Sequence, residues 1–252
     1  MSGHSHWAGI KHKKGATDKK RAKVFSKLAR QIIVAARNGG GDASVNLPLR
    51  YAIDKAKAAN MTKDTIARAI KKGTGELEGE SYEEITYEGY APAGVAVMVQ
   101  ALTDNRNRTA AEIRKIFEKA GGNLGTVNCV SFLFENKGFI TVSADVIDED
   151  DLMEIVLESG AENFERSGAL YEVTTAVGDF DAVKSALEEK GITTEMCEIT
   201  YLPTTTVTLD ENAARKVLNM LDQLEEHDDV QNVYSNYDIS EEIFARITAS
   251  EK

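Results

Sequence analysis

Charge divides this chain in two. The first 75 residues hold 17 Lys+Arg against 4 Asp+Glu, and the remaining 177 hold 13 against 37. A single uniform domain is a poor reading of such a split; a basic N-terminal unit joined to an acidic body is the better one. The overall formal charge of −11 and the pI of 5.0 conceal the cation. Fixed Lys/Arg charge gains most where phosphate counterions can be released, so the basic unit reads first as a nucleic-acid-contacting element.

Periodicity resolves the basic unit further. Residues 1–16 carry Gly, His and Lys with almost no periodic apolar positions and read as a mobile arm. From Thr17 a helix is predicted. Advancing each residue by about 100° places Lys19, Lys20, Lys23, Lys27, Arg30 and Arg37 within one arc of roughly 100°, opposite Phe25, Leu28, Ile32, Ile33 and Ala36. Gly39-Gly40-Gly41 ends it. Pro48 suits the first turn of a second helix with Leu49, Ile53 and Ala56, and Thr62 suits the N-cap of a third with Ile66, Ala69 and Ile70. Three short helices predict a small bundle, with Gly73–Gly79 as the linker to the next unit.

Beyond residue 80 strand-like runs alternate with helices. Gly94–Leu102 reads as a strand, Thr109–Ala120 as a helix opened by the capping-box sequence Thr109-Ala110-Ala111-Glu112, and Cys129–Phe134 as a strand with Val130, Phe132 and Phe134 on one side. From Phe139 the order is strand, helix, strand, strand, helix, strand, which is the ferredoxin-like βαββαβ arrangement. Asp148 and Asp179 stand where the N-caps of its two helices belong. After Pro203 a strand, a helix with Val217, Leu218, Leu221 and Leu224, and a strand over Val230–Tyr237 remain. The expected fold class is therefore α+β in three domains: an arm and helical bundle over 1–80, an α+β domain over 81–133 plus 203–252, and a ferredoxin-like domain over 134–202 inserted into it.

The strongest chemical signal is Lys11, His12, Lys13 and Lys14 continuing through Lys19, Lys20 and Lys23, with Lys27 and Arg30 on the same helical face. Trp7 beside it suits stacking on an exposed base. Arg106 and Arg108 lie between a strand and a helix start, where unpaired N–H groups and guanidinium forks together suit a phosphate. His4, His6 and His12 have no Cys or carboxylate nearby to complete a zinc set, and no functional metal or cofactor is expected. Asp148–Asp151 lacks the spaced oxygens and glycine of an EF-hand, and Gly121–Gly125 follows a helix instead of opening one. No phosphate loop, nucleophile elbow or zinc-protease motif occurs, so an enzyme is disfavoured. Cys129 and Cys197 read as small hydrophobes without a disulfide. The longest apolar stretch, Gly94–Leu102, is too short to cross a bilayer, no secretory signal is evident, and the expected compartment is the cytoplasm.

Several segments together resemble the YebC/PmpR family: Gly3-His4-Ser5-His6-Trp7-Ala8, Ile10–Lys14, Asp18–Leu28, Asn46-Leu47-Pro48-Leu49, Tyr87–Pro92, Thr103–Thr109 and Gly121–Gly125. The resemblance implies an N-terminal helical bundle, an α+β domain and a ferredoxin-like domain inserted into it. It also implies a cytoplasmic, non-enzymatic, DNA-binding transcriptional regulator. Related proteins, including the mitochondrial translational activator of cytochrome c oxidase, imply the alternative of a translation factor acting through RNA or the ribosome. By resemblance a nucleic-acid role falls on Lys11, Lys13, Lys14, Lys19, Lys20 and Lys23, and on Arg106 and Arg108. A protein partner for the acidic domains is a further expectation, and the oligomeric state is not legible.

Overall fold

The computed structural model describes residues 18–78 and 81–249, so the expected arm over residues 1–16 lies outside the described residues. Three helices open the fold: α1 (Asp18–Gly39), α2 (Leu47–Ala58) and α3 (Lys63–Gly73). Their apolar faces meet in one core through Leu28, Ile32 and Ala36 of α1, Leu49 and Ile53 of α2, and Ile66 of α3. Gly40 closes α1 at φ +84°, a conformation glycine adopts without steric cost. Gly73 lets α3 lie against α1, since a Cβ there would stand 2.5 Å from the carbonyl of Ile33. Asn46 ties the helices together. Its side-chain oxygen accepts from Leu49 N at 3.2 Å, capping α2, while its Nδ2 donates to Ala35 O and Gly40 O at 2.8 and 2.7 Å.

The next unit is built on β1 (Glu83–Tyr90), β2 (Ala96–Thr103), α4 (Arg106–Ala120) and β3 (Asn123–Leu124). A second run follows: β4 (Phe134–Ser143), α5 (Glu149–Glu158), β5 (Ala161–Ser167), β6 (Leu170–Thr175), α6 (Phe180–Glu189) and β7 (Met196–Pro203). The chain ends through β8 (Val207–Thr208), α7 (Glu211–Glu226), β9 (Val230–Ser235), β10 (Tyr237–Asp238) and α8 (Glu241–Ala249). One antiparallel sheet has the order β3-β1-β2-β9, the other β5-β6-β4-β7, and β8 pairs in parallel with β10. The strands of the second sheet thus come between β3 and β9 in the chain, in the order of a ferredoxin-like βαββαβ unit.

The strand β2 reads as a continuous apolar run because both its faces are covered. Val97, Val99 and Ala101 pack with Ile113 and Phe117 of α4 and Val217 of α7. Ala96 and Met98, on the other face, meet Val130, Phe134 and Tyr234. In the second sheet, Ile140, Val142 and Val173 face Leu152 and Val156 of α5 and Val183 and Leu187 of α6. Cys129 and Cys197 are free thiols, and burial pushes Cys197 up to about 11.

Local expectations differ from the structure at four places. The segment Cys129–Phe134 is not a strand: a 3-10 turn covers Ser131–Leu133, β4 begins at Phe134, and Phe132 is 69% exposed while Val130 is buried. The cause is Glu88, whose carboxylate takes the backbone N–H groups of Asn128, Val130 and Ser131, all at 2.8 Å, in place of a strand partner. The helix placed over Thr109–Ala120 starts at Arg106, because the Asn105 side chain accepts from Arg108 N at 3.1 Å and caps it one turn earlier. Asp148 does cap α5 through Asp150 N, but Asp179 makes no side-chain cap bond to α6. β1 and α8 were not anticipated; β1 is Glu-, Gly- and Tyr-rich, with little of the alternation that marks a strand.

One buried acid in this scaffold carries a pH prediction. Glu172 on β6 is 4% exposed, and it stands opposite Thr141 on β4 and Glu165 on β5. Burial pushes its carboxyl up to about 7 from an ordinary 4.5, against a lowering hydrogen bond from Ser167, and Glu165 adds to the rise. Between these values the unfolded chain ionises where the folded chain holds its proton, so this residue lowers stability as pH rises through that window. Glu172→Gln is expected to raise the melting temperature at pH 8 by about 2–4 °C and to change it little at pH 4. Equal gains at both pH values in thermal melts would contradict this account.

Candidate nucleic-acid interface

The basic stripe of α1 reaches the described structure through Lys23, Lys27 and Arg30, spaced so that all three leave the helix on one side. They do not face open solvent alone; all three meet the end of α7. Lys23 Nζ donates to the carbonyl of Glu226 and pairs with Asp228 Oδ1 at 3.1 Å. Lys27 Nζ donates to the carbonyl of Glu225 at 2.6 Å. Arg30 donates to the carbonyl of Asp228 at 2.8 Å and to Asp229 Oδ1 at 2.9 Å, with its guanidinium 5.2 Å from the centroid of the Tyr82 ring. The last turn of α7 has no basic residue of its own. Its exposed carbonyls and the negative end of its dipole are therefore met by cations from a helix some 200 residues earlier.

Asp229 gathers this contact. Its side chain is 4% exposed, and it accepts from Arg30, from Arg108 at 2.9 Å and from the Thr109 hydroxyl at 2.7 Å, with Thr103 Oγ1 at 3.2 Å. Burial alone would raise this carboxyl, but Arg108, Thr109 and Arg30 hold it below its ordinary 3.8. The same bonds to Asp229 and Asp104 raise Arg108 further above its already high range. His227 closes the turn: its Nδ1 accepts from Asp229 N at 3.1 Å, which leaves Nε2–H to donate to Glu112 Oε2 at 2.8 Å.

A second contact joins the bundle to α6 and β7. Arg50 pairs with Asp181 at 2.5 Å, Tyr51 OH donates to the same carboxylate at 2.8 Å, and Lys55 pairs with Glu198 at 3.0 Å. Five cations of the bundle thus hold carboxylates or helix-end carbonyls of the acidic body.

The sequence-predicted site residues fall into four groups. Lys11, His12, Lys13 and Lys14 lie outside the described residues. Lys19 and Lys20 belong to the first turn of α1, where the backbone alone is described. Lys23, Lys27, Arg30 and Arg108 are brought together around α7's end and Asp229; the partners of the first three are not marked in the sequence, whereas Arg108 also pairs with the neighbouring Asp104, as an arginine of an acidic polar turn does. Arg106 is exposed at the start of α4 and carries no described ion pair. Exposed Lys63, Arg68 and Lys71 on α3, and Arg114, Lys115 and Lys119 on α4, add positive surface that the linear reading passed over. Their signal was present as basic residues at helix-surface positions, masked on α4 by interleaved Glu112 and Glu118. Among the described residues no cluster of three or more His, Cys, Asp or Glu could hold a metal ion, and no helix is long and apolar enough to cross a membrane.

Two family models match the chain. The one described as the TACO1/YebC protein N-terminal domain covers residues 5–76, and the TACO1/YebC second and third domain covers 82–237. Full-length relatives carry the name probable transcriptional regulatory protein. The one from Desulforapulum autotrophicum is 54% identical over 97% of this chain and 99% of its own, and that from Elusimicrobium minutum is 52% identical over 98% and 100%. A crystal structure of a conserved hypothetical protein from Aquifex aeolicus superposes with a TM-score of 0.83 at 52% identity, covering 94% of this chain and 98% of that one.

Proposed function

The chain belongs to the TACO1/YebC family, and from that premise we propose that it is a non-enzymatic, nucleic-acid-binding regulator of gene expression that acts on transcription in the cytoplasm. The observation that carries this reading is the charge split, with full-length relatives named as probable transcriptional regulatory proteins in support. The phosphate contacts divide by position. Lys11, His12, Lys13, Lys14, Lys19 and Lys20, with Arg106 at the start of α4, engage the polyanion. Lys23, Lys27 and Arg30 hold the bundle against the end of α7 and so fix where the engaging residues stand, while Arg108 holds Asp229, the carboxylate that Arg30 also meets.

A second reading, action on RNA, draws support from one observation. Lys23, Lys27 and Arg30 of α1 are engaged by the end of α7 and by Asp228 and Asp229, so α1 is not a bare helix available to lie along a major groove. Phosphate contacts of the outer residues serve single-stranded or structured RNA as well as duplex DNA.

The test is binding measured across salt. Changing Lys11, Lys13, Lys14, Lys19 and Lys20 to Gln is expected to lower the slope of log K against log salt by about 4 for duplex DNA and to weaken binding at physiological salt by at least about tenfold. Lys27→Gln should leave that slope unchanged. A slope unaltered by the fivefold change would end the assignment of these residues, and recovery of ribosomal RNA in place of DNA after crosslinking in cells would move the function to translation.

A further inference from the structure

An open cleft of about 760 Å³ separates α1 and the start of α2 from the strands β2 and β9. Its lining is unusual in kind. Six residues with side-chain amides line it: Gln31 and Asn38 from α1, Asn46 at the N-cap of α2, Gln100 from β2, and Gln231 and Asn232 from β9. The apolar remainder includes Val34, Leu47, Pro48 and Tyr51. The charged groups of the lining are Lys55, which is paired with Glu198, and the carboxylate of Glu84 on β1, so the cleft offers an anion little.

The amides are oriented by bonds among themselves. Gln100 Oε1 accepts from Asn232 Nδ2 at 3.1 Å and from Tyr234 OH at 3.0 Å. That leaves the Gln100 NH2 group as a donor and the Asn232 carbonyl as an acceptor, side by side on one wall. Gln231 Oε1, on the same strand, is buried behind this wall with no hydrogen-bond partner, so the donor and acceptor presented to the cleft are those of Gln100 and Asn232. A neutral ligand with adjacent donors and acceptors on its edge and flat apolar faces satisfies all of this. A nucleobase has that form, and the volume lies within the range of small-molecule sites.

We propose that this cleft takes one unpaired nucleobase of a strand whose phosphates lie on the basic N-terminal residues. The inference rests on the nucleic-acid reading above and deepens it, because phosphate contacts position a strand while base contacts tell sequences apart. A base within a duplex stack cannot enter a recess of this kind. The cleft therefore separates single strands from duplexes.

The test uses the full chain and a uridine-rich single-stranded RNA, with a duplex of matching sequence as control. Gln100→Ala and Asn232→Ala are each expected to weaken single-strand binding by about tenfold, as loss of an oriented hydrogen bond and its unsatisfied partner implies, while leaving the salt slope and duplex binding unchanged. Photo-crosslinking of the wild-type protein to RNA carrying 4-thiouridine needs no variant to fold, and it is expected to label the cleft, where Tyr51 is the aromatic residue of the lining. Crosslinks confined to other surfaces, or undiminished affinity in both variants, would overturn the cleft while leaving the steep salt dependence of the arm intact. Absence of salt-dependent binding in the wild type would overturn the nucleic-acid reading itself, and with it this inference.

Discussion

Asp229→Ala is expected to destabilise the protein by about 3–5 kcal/mol, the range found when one partner of a buried ion pair is removed and the other is left uncompensated. The size follows from how many groups converge on this carboxylate. Arg30 reaches it from the bundle and Arg108 from the start of α4, while Thr103 and Thr109, both fully buried, place their hydroxyls against it. Alanine would leave them facing a cavity. Asp229→Asn keeps the shape but loses the charge and turns an N–H2 toward a guanidinium, so an intermediate loss is expected. The pH dependence has a definite sign. Because the folded carboxyl is held below its ordinary 3.8, its contribution is present above that value and is lost as pH falls through the lower folded one. The gap between wild type and Asp229→Asn should therefore narrow in acid below pH 4. Urea denaturation reads the stability, and hydrogen exchange in α1 and residues 103–109 reads where it is lost. A loss below about 1 kcal/mol for the alanine variant would mean that Asp229 does not join the bundle to the acidic body as described.

That contact also shows what was legible in the chain and what was not. Helical arithmetic placed Lys23, Lys27 and Arg30 on one side of α1, because a 3.6-residue period is a local property. Their partners are the C-terminal carbonyls of α7 and the aspartates Asp228 and Asp229, and no pattern within α1 points to them. Charge composition identifies a cation without naming its anion, and here part of the anion is the protein itself. The ferredoxin-like order was readable because its helices and strands alternate with clear apolar faces, such as Phe180, Val183 and Leu187 on α6. The capping-box pattern at Thr109 was a plausible local match, yet Thr109 is buried against Asp229 and the cap falls to Asn105. The amide cleft was silent for a different reason. Gln31, Gln100 and Asn232 are ordinary surface residue types in sequence, and only the meeting of the bundle with β2 and β9 gathers them.

Glu88 was equally silent, one of three glutamates in a strand of mixed character, and Glu88→Ala is expected to cost about 3 kcal/mol. Its carboxylate is 4% exposed and accepts three backbone N–H groups from one short segment, with Oε1 on Asn128 and Oε2 on both Val130 and Ser131. Each buried donor left unsatisfied costs about 1–3 kcal/mol; Val130 N is fully buried, whereas Asn128 N and Ser131 N can recover part of the loss from water. Glutamine does not rescue the site, since its amide nitrogen would oppose an N–H donor. Burial alone would raise this carboxyl, but the three backbone donors outweigh it and hold it below the ordinary 4.5. Its stabilising contribution is therefore complete above that value and disappears as pH falls beneath it. The structural consequence is local. Residues 125–133 present Val127 and Phe132, 73% and 69% exposed, on a segment whose shape depends on this one side chain, while Val130 beneath them is fully buried in the core with Ala96 and Met98. Loss of Glu88 should raise amide exchange across 128–131 before it loosens the sheets, and the destabilisation should shrink in acid. Uniform exchange across the whole chain, with no earlier opening of this segment, would show that Glu88 stabilises the fold by another route.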